Sequence, residues 1–387
     1  MHDIDFIVPG ALVEAPLAPE LMRDLELPNL TRIARHASES VNLDHDDNAS
    51  LAPWQAWVFG THAQTGFEDA DINLAELWAM ACGLPQVHGG SGRWLAEPAH
   101  FRIAQDHLRL DDPHGLAIMM EEARALSTSI APLLAEAGWR LEPVEPSTRT
   151  HWFLLRDDAF DLTGAALDRA IGENVAHWQP RAARSRVVER VDSHPHPGPG
   201  SSPGQALLPS RGKEESAAFA DNDEPALAWR RCVNEIQMLW FGHPVNEARE
   251  ARGVATINTL WLSGNGAAAT PMPHYRAVDS TLELLAALAI EPDATRVLES
   301  FDGLIAPARI QDWATWRSSL AALDARLGEV LDSQRAGQLG RVCLALFGAD
   351  GGRVLRVEPR DLGKFWRGWG AGASLADLFS DNLAGQQ

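Results

Sequence analysis

The sequence predicts an α/β fold: a mostly parallel sheet flanked by helices. Two observations predict it. Short apolar, β-branched runs alternate with segments of helical periodicity on both sides of one Pro/Gly/Ser-rich stretch. Start and stop signals, proline at helix beginnings and glycine at helix ends, bracket the periodic segments.

Taken in order, Asp5–Pro9 (DFIVP) is a short apolar run of the kind that forms a buried strand. Leu27–Ala37 places Leu30, Ile33, Ala34 and Ala37 at helical spacing behind a Pro28-Asn29 start. Leu74–Cys82 is expected to be a helix stopped by Gly83. His114–Gly138 is expected to form one or two helices, Pro132 restarting the second. Trp139–Val144 and His151–Arg156 are expected strands. In Pro225–Phe241, Cys232, Val233, Ile236, Leu239 and Trp240 share one helix face, and Gly242 ends the helix. Val245–Arg252 is a second helix, Thr256–Leu262 a strand, and Ser263-Gly264-Asn265-Gly266 a tight loop. Arg341–Phe347 and Arg353–Val357, on either side of Ala349-Asp350-Gly351-Gly352, form a hairpin.

Asp192 to Glu224 is dominated by Pro, Gly and Ser without a sustained apolar period, so it is expected to be a linker or loop. Residues 1–191 and 225–387 are then the two parts of one α/β domain. His194 and His196 alternate with prolines there, too sparse a set for a metal site.

Composition narrows the function. The 387 residues are 45% hydrophobic and 22% charged, a globular balance. A net charge of −20 repels phosphate backbones and argues against general nucleic-acid binding. No apolar stretch reaches the roughly 18 residues of a membrane span. The acidic start, Met1-His2-Asp3-Ile4-Asp5, is unlike a secretory signal, so a cytoplasmic location is expected. Cys82, Cys232 and Cys343 are too widely spaced for a CxxC site and are expected as reduced thiols. Fourteen Trp accompany a single Tyr, a bias that suits core packing or a protein contact.

Several runs carry a resemblance. His243-Pro244-Val245-Asn246, followed by Arg249, Gly253, Asn258, Trp261 and the Gly264-Asn265-Gly266 loop, resembles the archaeal-type cofactor-independent phosphoglycerate mutases. The start, DFIVPG followed by LPNLTRIARHA, resembles the first strand and helix of the alkaline phosphatase superfamily. Further runs resemble the RpfE-type regulatory proteins, a bacterial branch of that superfamily. These are the VPG start, Ala96-Glu97-Pro98-Ala99-His100-Phe101, Asn234-Glu235-Ile236-Gln237-Met238-Leu239-Trp240-Phe241, and Gly363-Lys364-Phe365-Trp366-Arg367. The resemblance implies an alkaline phosphatase-like sheet and a site near the HPVN helix. Where those enzymes end the first strand in a metal-binding Asp, this chain has Val8-Pro9-Gly10, and DHGN, HSxxVP and HT-type clusters are missing.

Read for chemistry, Gly264 and Gly266 can expose N–H groups to an anion, with Arg249 and Arg252 adding charge. A short glycine loop also ends many strands without binding anything. His88-Gly89-Gly90-Ser91-Gly92-Arg93 offers a second phosphate cradle or a plain surface loop. If His88, Arg93, His100 and Arg102 met the HPVN region they would form a cationic pocket. Asn234, Gln237, His243, Asn246 and Asn258 are candidates for a shared polar surface or for capping and buried hydrogen bonds. Asp44, Asp46 and His62 are the nearest metal-ligand candidates, and Ser50 a stray nucleophile. The function expected is that of a degenerate mutase relative with a regulatory or ligand-binding role, needing no cofactor. Its partner would be a phosphorylated small molecule or a protein. The alternatives are an active metal-dependent phosphoryl-transfer enzyme, using manganese or zinc, and a Trp-rich interaction module.

Overall fold

The apolar run at the N-terminus becomes the middle of the main sheet. In the computed structural model, which describes residues 2–44, 49–60, 72–87, 90–104, 107–142, 151–182, 224–266, 274–286, 288, 290–362 and 374–381, the strands fall into two larger sheets and a hairpin. In chain order they are β1 (His2–Val8), β2 (Glu39–Asp44), β3 (Gly92–Ala99), β4 (Phe101–Ala104), β5 (His107–Leu110), β6 (Arg140–Glu142), β7 (Trp152–Arg156), β8 (Thr259–Ser263), β9 (Ala277–Asp279), β10 (Arg296–Ser300), β11 (Leu339–Phe347) and β12 (Gly351–Val357).

The six-stranded sheet runs β2-β12-β11-β1-β10-β9. β9, β10, β1 and β11 are parallel, whereas β12 and β2 are antiparallel additions. The second sheet, β6-β7-β3-β8, is antiparallel throughout, and β4-β5 stands apart as a hairpin. The expectation of a mostly parallel sheet therefore holds for the core of one sheet only. The β11–β12 hairpin turns the chain back without a crossover, and antiparallel pairing follows.

β1 is buried on both faces, which is why its sequence is a continuous apolar run. Ile4, Phe6 and Val8 pack with Val342, Leu344 and Leu346 against helices Pro28–His36 and Trp313–Arg335. Ile7, on the opposite face, joins Cys343, Ala345 and Val354 under helix Pro53–Gly60. Asp5 is the buried exception. Its carboxylate is 2.6 Å from Arg296 and accepts from the Tyr275 hydroxyl at 3.4 Å. The long helix Trp313–Arg335 and the central strand β3 are not among the expected elements, although the helix has an Asp312 cap and an apolar stripe at helical spacing. Pro132, expected to restart a helix, sits inside the single helix Met120–Glu136. Cys232 and Cys343 are buried free thiols, and burial pushes both up to about 12.

The second sheet buries Trp94, Trp152, Leu154 and Leu260 beneath helices Met120–Glu136 and Glu224–Phe241. Helix Leu74–Ala81 lies between the two sheets. Leu74 and Leu77 belong to the core of the first sheet, Ala75 and Ala79 to that of the second. Being covered on both sides, it has no polar face except Glu76, which is fully buried and 2.9 Å from Arg93 of β3. Asn73 caps the helix through Ala75 N–H and donates to the Arg93 carbonyl. No helix among the described residues is long and apolar enough to cross a membrane. Of the linker region only Glu224 lies within the described residues, and it opens a helix.

Burial holds the Glu76 carboxyl above the usual range despite the Arg93 guanidinium beside it, so desolvation is incompletely repaid. Glu76→Ala, which strands Arg93 next to Glu142 alone, is expected to cost about 3–5 kcal/mol in urea unfolding. The double replacement Glu76→Leu, Arg93→Met is expected to cost less than that single change.

Candidate functional site

Several of the polar residues that the sequence singled out serve the framework. Asn246 is 2% exposed, and its amide donates to the Trp240 and Ile257 carbonyls and accepts from Ile257 N–H. It thereby ties the helix Pro244–Ala251 to the segment entering β8. Arg249 is 1% exposed and reaches Glu122 at 2.6 Å, with further bonds to the Ala255 and Leu116 carbonyls. Arg252 also donates to Glu122. His243 caps its helix, Nδ1 accepting from Val245 N–H at 3.2 Å. Burial lowers the pKa of His243, in keeping with an imidazole that must stay neutral to accept. Asn258 clamps the Phe101 backbone in both directions, at 2.7 and 2.9 Å.

His100 Nδ1 lies 2.7 Å from the Thr256 carbonyl, and Arg102 pairs with Asp111 at 2.9 Å on the exposed hairpin. Gln237 donates to Thr259 at 3.3 Å, while Asn234 is exposed on the outer face of its helix. Arg93 belongs to β3 and is occupied by Glu76 and Glu142. Thus His100 and Asn258 are brought together near the HPVN helix, and Arg93 is not. His88 lies outside the described residues, as do Asp46, His62 and 363–367. Asp44 is the exposed last residue of the edge strand β2. The Ser50 carbonyl accepts from Ala166 N–H at 2.6 Å.

The glycine loop after β8 is closely packed. Gly264 has φ +101°, and a Cβ there would lie 2.7 Å from Asn73 Oδ1; one on Gly266 would lie 2.4 Å from the Trp94 ring. The Gly264 N–H donates to Gly164. That N–H is consumed by the fold, so it is not available to an anion. The Trp side chains among the described residues are buried or half-buried, none exposed. Tryptophan here is core, and an exposed Trp surface is not part of the described chain.

The open site lies elsewhere, at the carboxyl ends of the parallel strands, where open α/β sheets leave a crevice. β1 leads into Pro9-Gly10, β9 into Ser280-Thr281 and β10 into Phe301-Asp302. Gly10 must be glycine: φ is +75° and a Cβ would meet the Leu304 carbonyl at 2.8 Å. A cavity of about 390 Å³ opens between the ends of β9 and β10 and the second sheet. Helix Leu74–Ala81 contributes Leu74 and Trp78, β3 contributes Glu97, and His151 precedes β7.

Its polar groups are joined in pairs. Arg309 bridges Asp112 at 3.0 Å and Asp168 at 2.6 Å. Gln55, 3% exposed, accepts from Ala52 N–H and donates to the other Asp168 oxygen at 3.1 Å. The Thr281 hydroxyl donates to Asp302. His151 Nε2 lies 3.3 Å from Glu97, and its ring stacks on Trp78 at 4.2 Å between centroids. Ser263 donates to the second Glu97 oxygen at 3.4 Å. Together with Glu283, the cavity carries more carboxylates than cations. No group of three or more His, Cys, Asp or Glu among the described residues is arranged to hold a metal ion. Of these lining residues only Glu97 falls within a motif quoted above; the others are scattered from Trp54 to Arg309 and share no local pattern.

No family model matches this chain, and no curated protein does either. Among solved structures it is similar to the cofactor-independent phosphoglycerate mutase from Thermoplasma acidophilum, at 14% identity over 92% of this chain and 90% of that one, with a TM-score of 0.39. It is also similar to the PH0037 protein from Pyrococcus horikoshii, at 12% identity over 92% and 87%, with a TM-score of 0.45.

Two outcomes follow from these ion pairs. Arg309→Ala leaves Asp112 and Asp168 facing each other, and is expected to lower stability by roughly 1–2 kcal/mol; added manganese should raise the melting temperature of this variant more than that of the parent. Glu122 is pushed up by burial, but the Met119 N–H, Arg252 and Arg249 overcome this and hold it below the usual carboxylate range. Its contribution is therefore complete at neutral pH and is lost as pH falls below about 4.5. Glu122→Gln is expected to flatten that acid limb of a stability–pH curve.

Proposed function

We propose that this chain is a small-molecule-binding protein of regulatory type on a mutase-like α/β scaffold, and not a phosphoryl-transfer enzyme. The observation that carries this reading is Arg309 between Asp112 and Asp168 in the strand-end cavity. Two-metal phosphoryl transfer needs Asp and His side chains grouped around divalent ions that neutralise phosphate charge and activate the nucleophile. In this cavity a guanidinium stands between the carboxylates, Asp302 is met by Thr281, and Glu97 by His151 and Ser263. The apolar Val8-Pro9 end of β1, where the resemblance would place a metal-binding Asp, supports the same reading.

The lining favours a ligand rich in hydroxyl groups. Carboxylates accept hydrogen bonds from hydroxyls, and Trp54 and Trp78 add apolar surface to the lining. A phosphorylated metabolite, the class implied by the family resemblance, would have to overcome the excess of carboxylates and depend on Arg309.

The test is a thermal-shift and calorimetric panel of sugars, polyols and their phosphates, run beside metal analysis and a phosphatase assay in manganese. A hydroxyl-rich ligand is expected to bind, to lose about tenfold or more in affinity in Trp78→Ala, and to bind without turnover. Stoichiometric manganese or zinc with turnover would establish the enzyme instead. Binding confined to phosphorylated compounds and indifferent to Trp78→Ala would overturn the ligand class.

A further inference from the structure

Helix Glu224–Phe241 carries a second stripe besides the one that builds the core. Ala226, Trp229, Cys232, Ile236 and Trp240 are buried in the core of the antiparallel sheet. On the opposite, solvent face Leu227, Arg231, Asn234, Met238 and Phe241 recur at alternating steps of four and three. That is the 3.5-residue period of a coiled-coil seam, narrower than the stripe of a core-facing helix. All five residues are exposed, the apolar ones strongly: Leu227 41%, Met238 78% and Phe241 90%. A lone exposed apolar residue is ordinary, but three along one line of one helix mark a contact face.

The stripe is its own complement. Leu227 and Phe241 lie seven residues on either side of Asn234, and Arg231 and Met238 lie three and four residues from it. Turned over about a two-fold axis at Asn234, the helix of a second copy sets Phe241 against Leu227, Met238 against the aliphatic stem of Arg231, and Asn234 against its equivalent. An Asn on such a seam hydrogen-bonds its counterpart and fixes the register. Glu235 is exposed beside the seam. With a rise of about 1.5 Å per residue, Arg231 then stands about 3 Å along the axis from Glu235 of the second copy, close enough to pair. Parallel pairing would instead place Arg231 on Arg231. The net charge of −20 opposes self-association over most of the surface, whereas this seam bears one arginine and no carboxylate.

We propose that the outer face of helix Glu224–Phe241 is a homodimer interface, two copies pairing antiparallel about a two-fold axis at Asn234. One helix face covers less than the roughly 800 Å² per partner of a standard interface, so the dimer dissociates in the micromolar range. The inference does not rest on the reading of the cavity, and no variant is shared between the two tests.

The experiment is sedimentation velocity of the full chain across micromolar concentrations. A dimer that dissociates on dilution is expected. Phe241→Glu and Met238→Glu change exposed side chains only. Each is expected to weaken the dimer about tenfold or more while leaving the melting temperature of the dilute protein unchanged. Arg231→Glu should weaken it as well, and Arg231→Glu combined with Glu235→Arg should restore it, because the exchanged charges meet again across the axis. Asn234→Cys, on the axis, should cross-link two copies on oxidation, with the parent treated alike as the control for Cys82. Leu227→Cys, about 21 Å along the axis from its counterpart, should not. The proposal is overturned by a chain that stays monomeric at its highest soluble concentration or by a dimer indifferent to Phe241→Glu and Met238→Glu. It is equally overturned if Leu227→Cys cross-links as readily as Asn234→Cys, which would make the pairing parallel.

Discussion

The buried contact between Glu76 and Arg93, with Asn73 beside it, sets the relation between the two sheets. Glu76 lies on the fully buried side of helix Leu74–Ala81, so its carboxylate must be met inside the protein. Arg93 meets it from β3, and Asn73 adds a bond from the start of the helix to the same residue's carbonyl. Gly264 makes room for Asn73 at the end of β8. Helix, β3 and β8 thus form one polar lock in an otherwise apolar layer, and Leu74 and Trp78, carried by that helix, become a wall of the crevice.

A second lock of the same kind holds the far side of the antiparallel sheet. Glu122 receives Arg249 and Arg252, while Asn246 and Asn258 tie off backbone groups of the segments around β8 and β3. Asn, Arg and Glu are costly to bury singly, but each here has its partners. This explains how a run of polar residues at fixed spacing, HPVN followed by Arg249 and Asn258, can be a signature of structure alone. The residues satisfy backbone groups that neither sheet nor helix pairs.

In a chain of net charge −20, arginines inside the crevice are spent with care. Arg309 answers Asp112 and Asp168, and Arg169 lies between Trp178 and the β11–β12 turn. These pairings divide the crevice into an acidic, Trp-lined chamber and a second chamber of mixed charge. A low-dielectric recess amplifies such differences relative to the solvated surface, and the local balance of charge selects a ligand more sharply than the net charge of the protein does.

Patterns with a short range were legible in the sequence. The strand at Asp5–Pro9, the helices at Leu27–Ala37, Leu74–Cys82 and Pro225–Phe241, and the hairpin around Asp350 follow from periodicity, proline and glycine, because those signals act over neighbouring residues. Helix Trp313–Arg335 carries the same kind of signal, an Asp312 cap and apolar Trp316, Leu320, Leu323, Leu327 and Val330 at helical spacing, although it is not among the expected elements. The antiparallel second sheet was not foreseen, because strand pairing is settled by contacts far apart in the chain. The same holds for the sites. That Asn246, Arg249 and Asn258 matter was readable from their spacing; that their hydrogen-bonding groups are turned to backbone and Glu122 was decided only by packing. Trp78, Asp168 and Arg309 come from three different helices, Glu97 from β3, His151 from just before β7 and Asp302 from just after β10, and they meet only because the two sheets and these helices pack around one cavity. The sequence by itself determined the local elements and the polar residues that would need partners. The tertiary structure alone decided which partners those were, since burial and charge pairing depend on distances that no local pattern records.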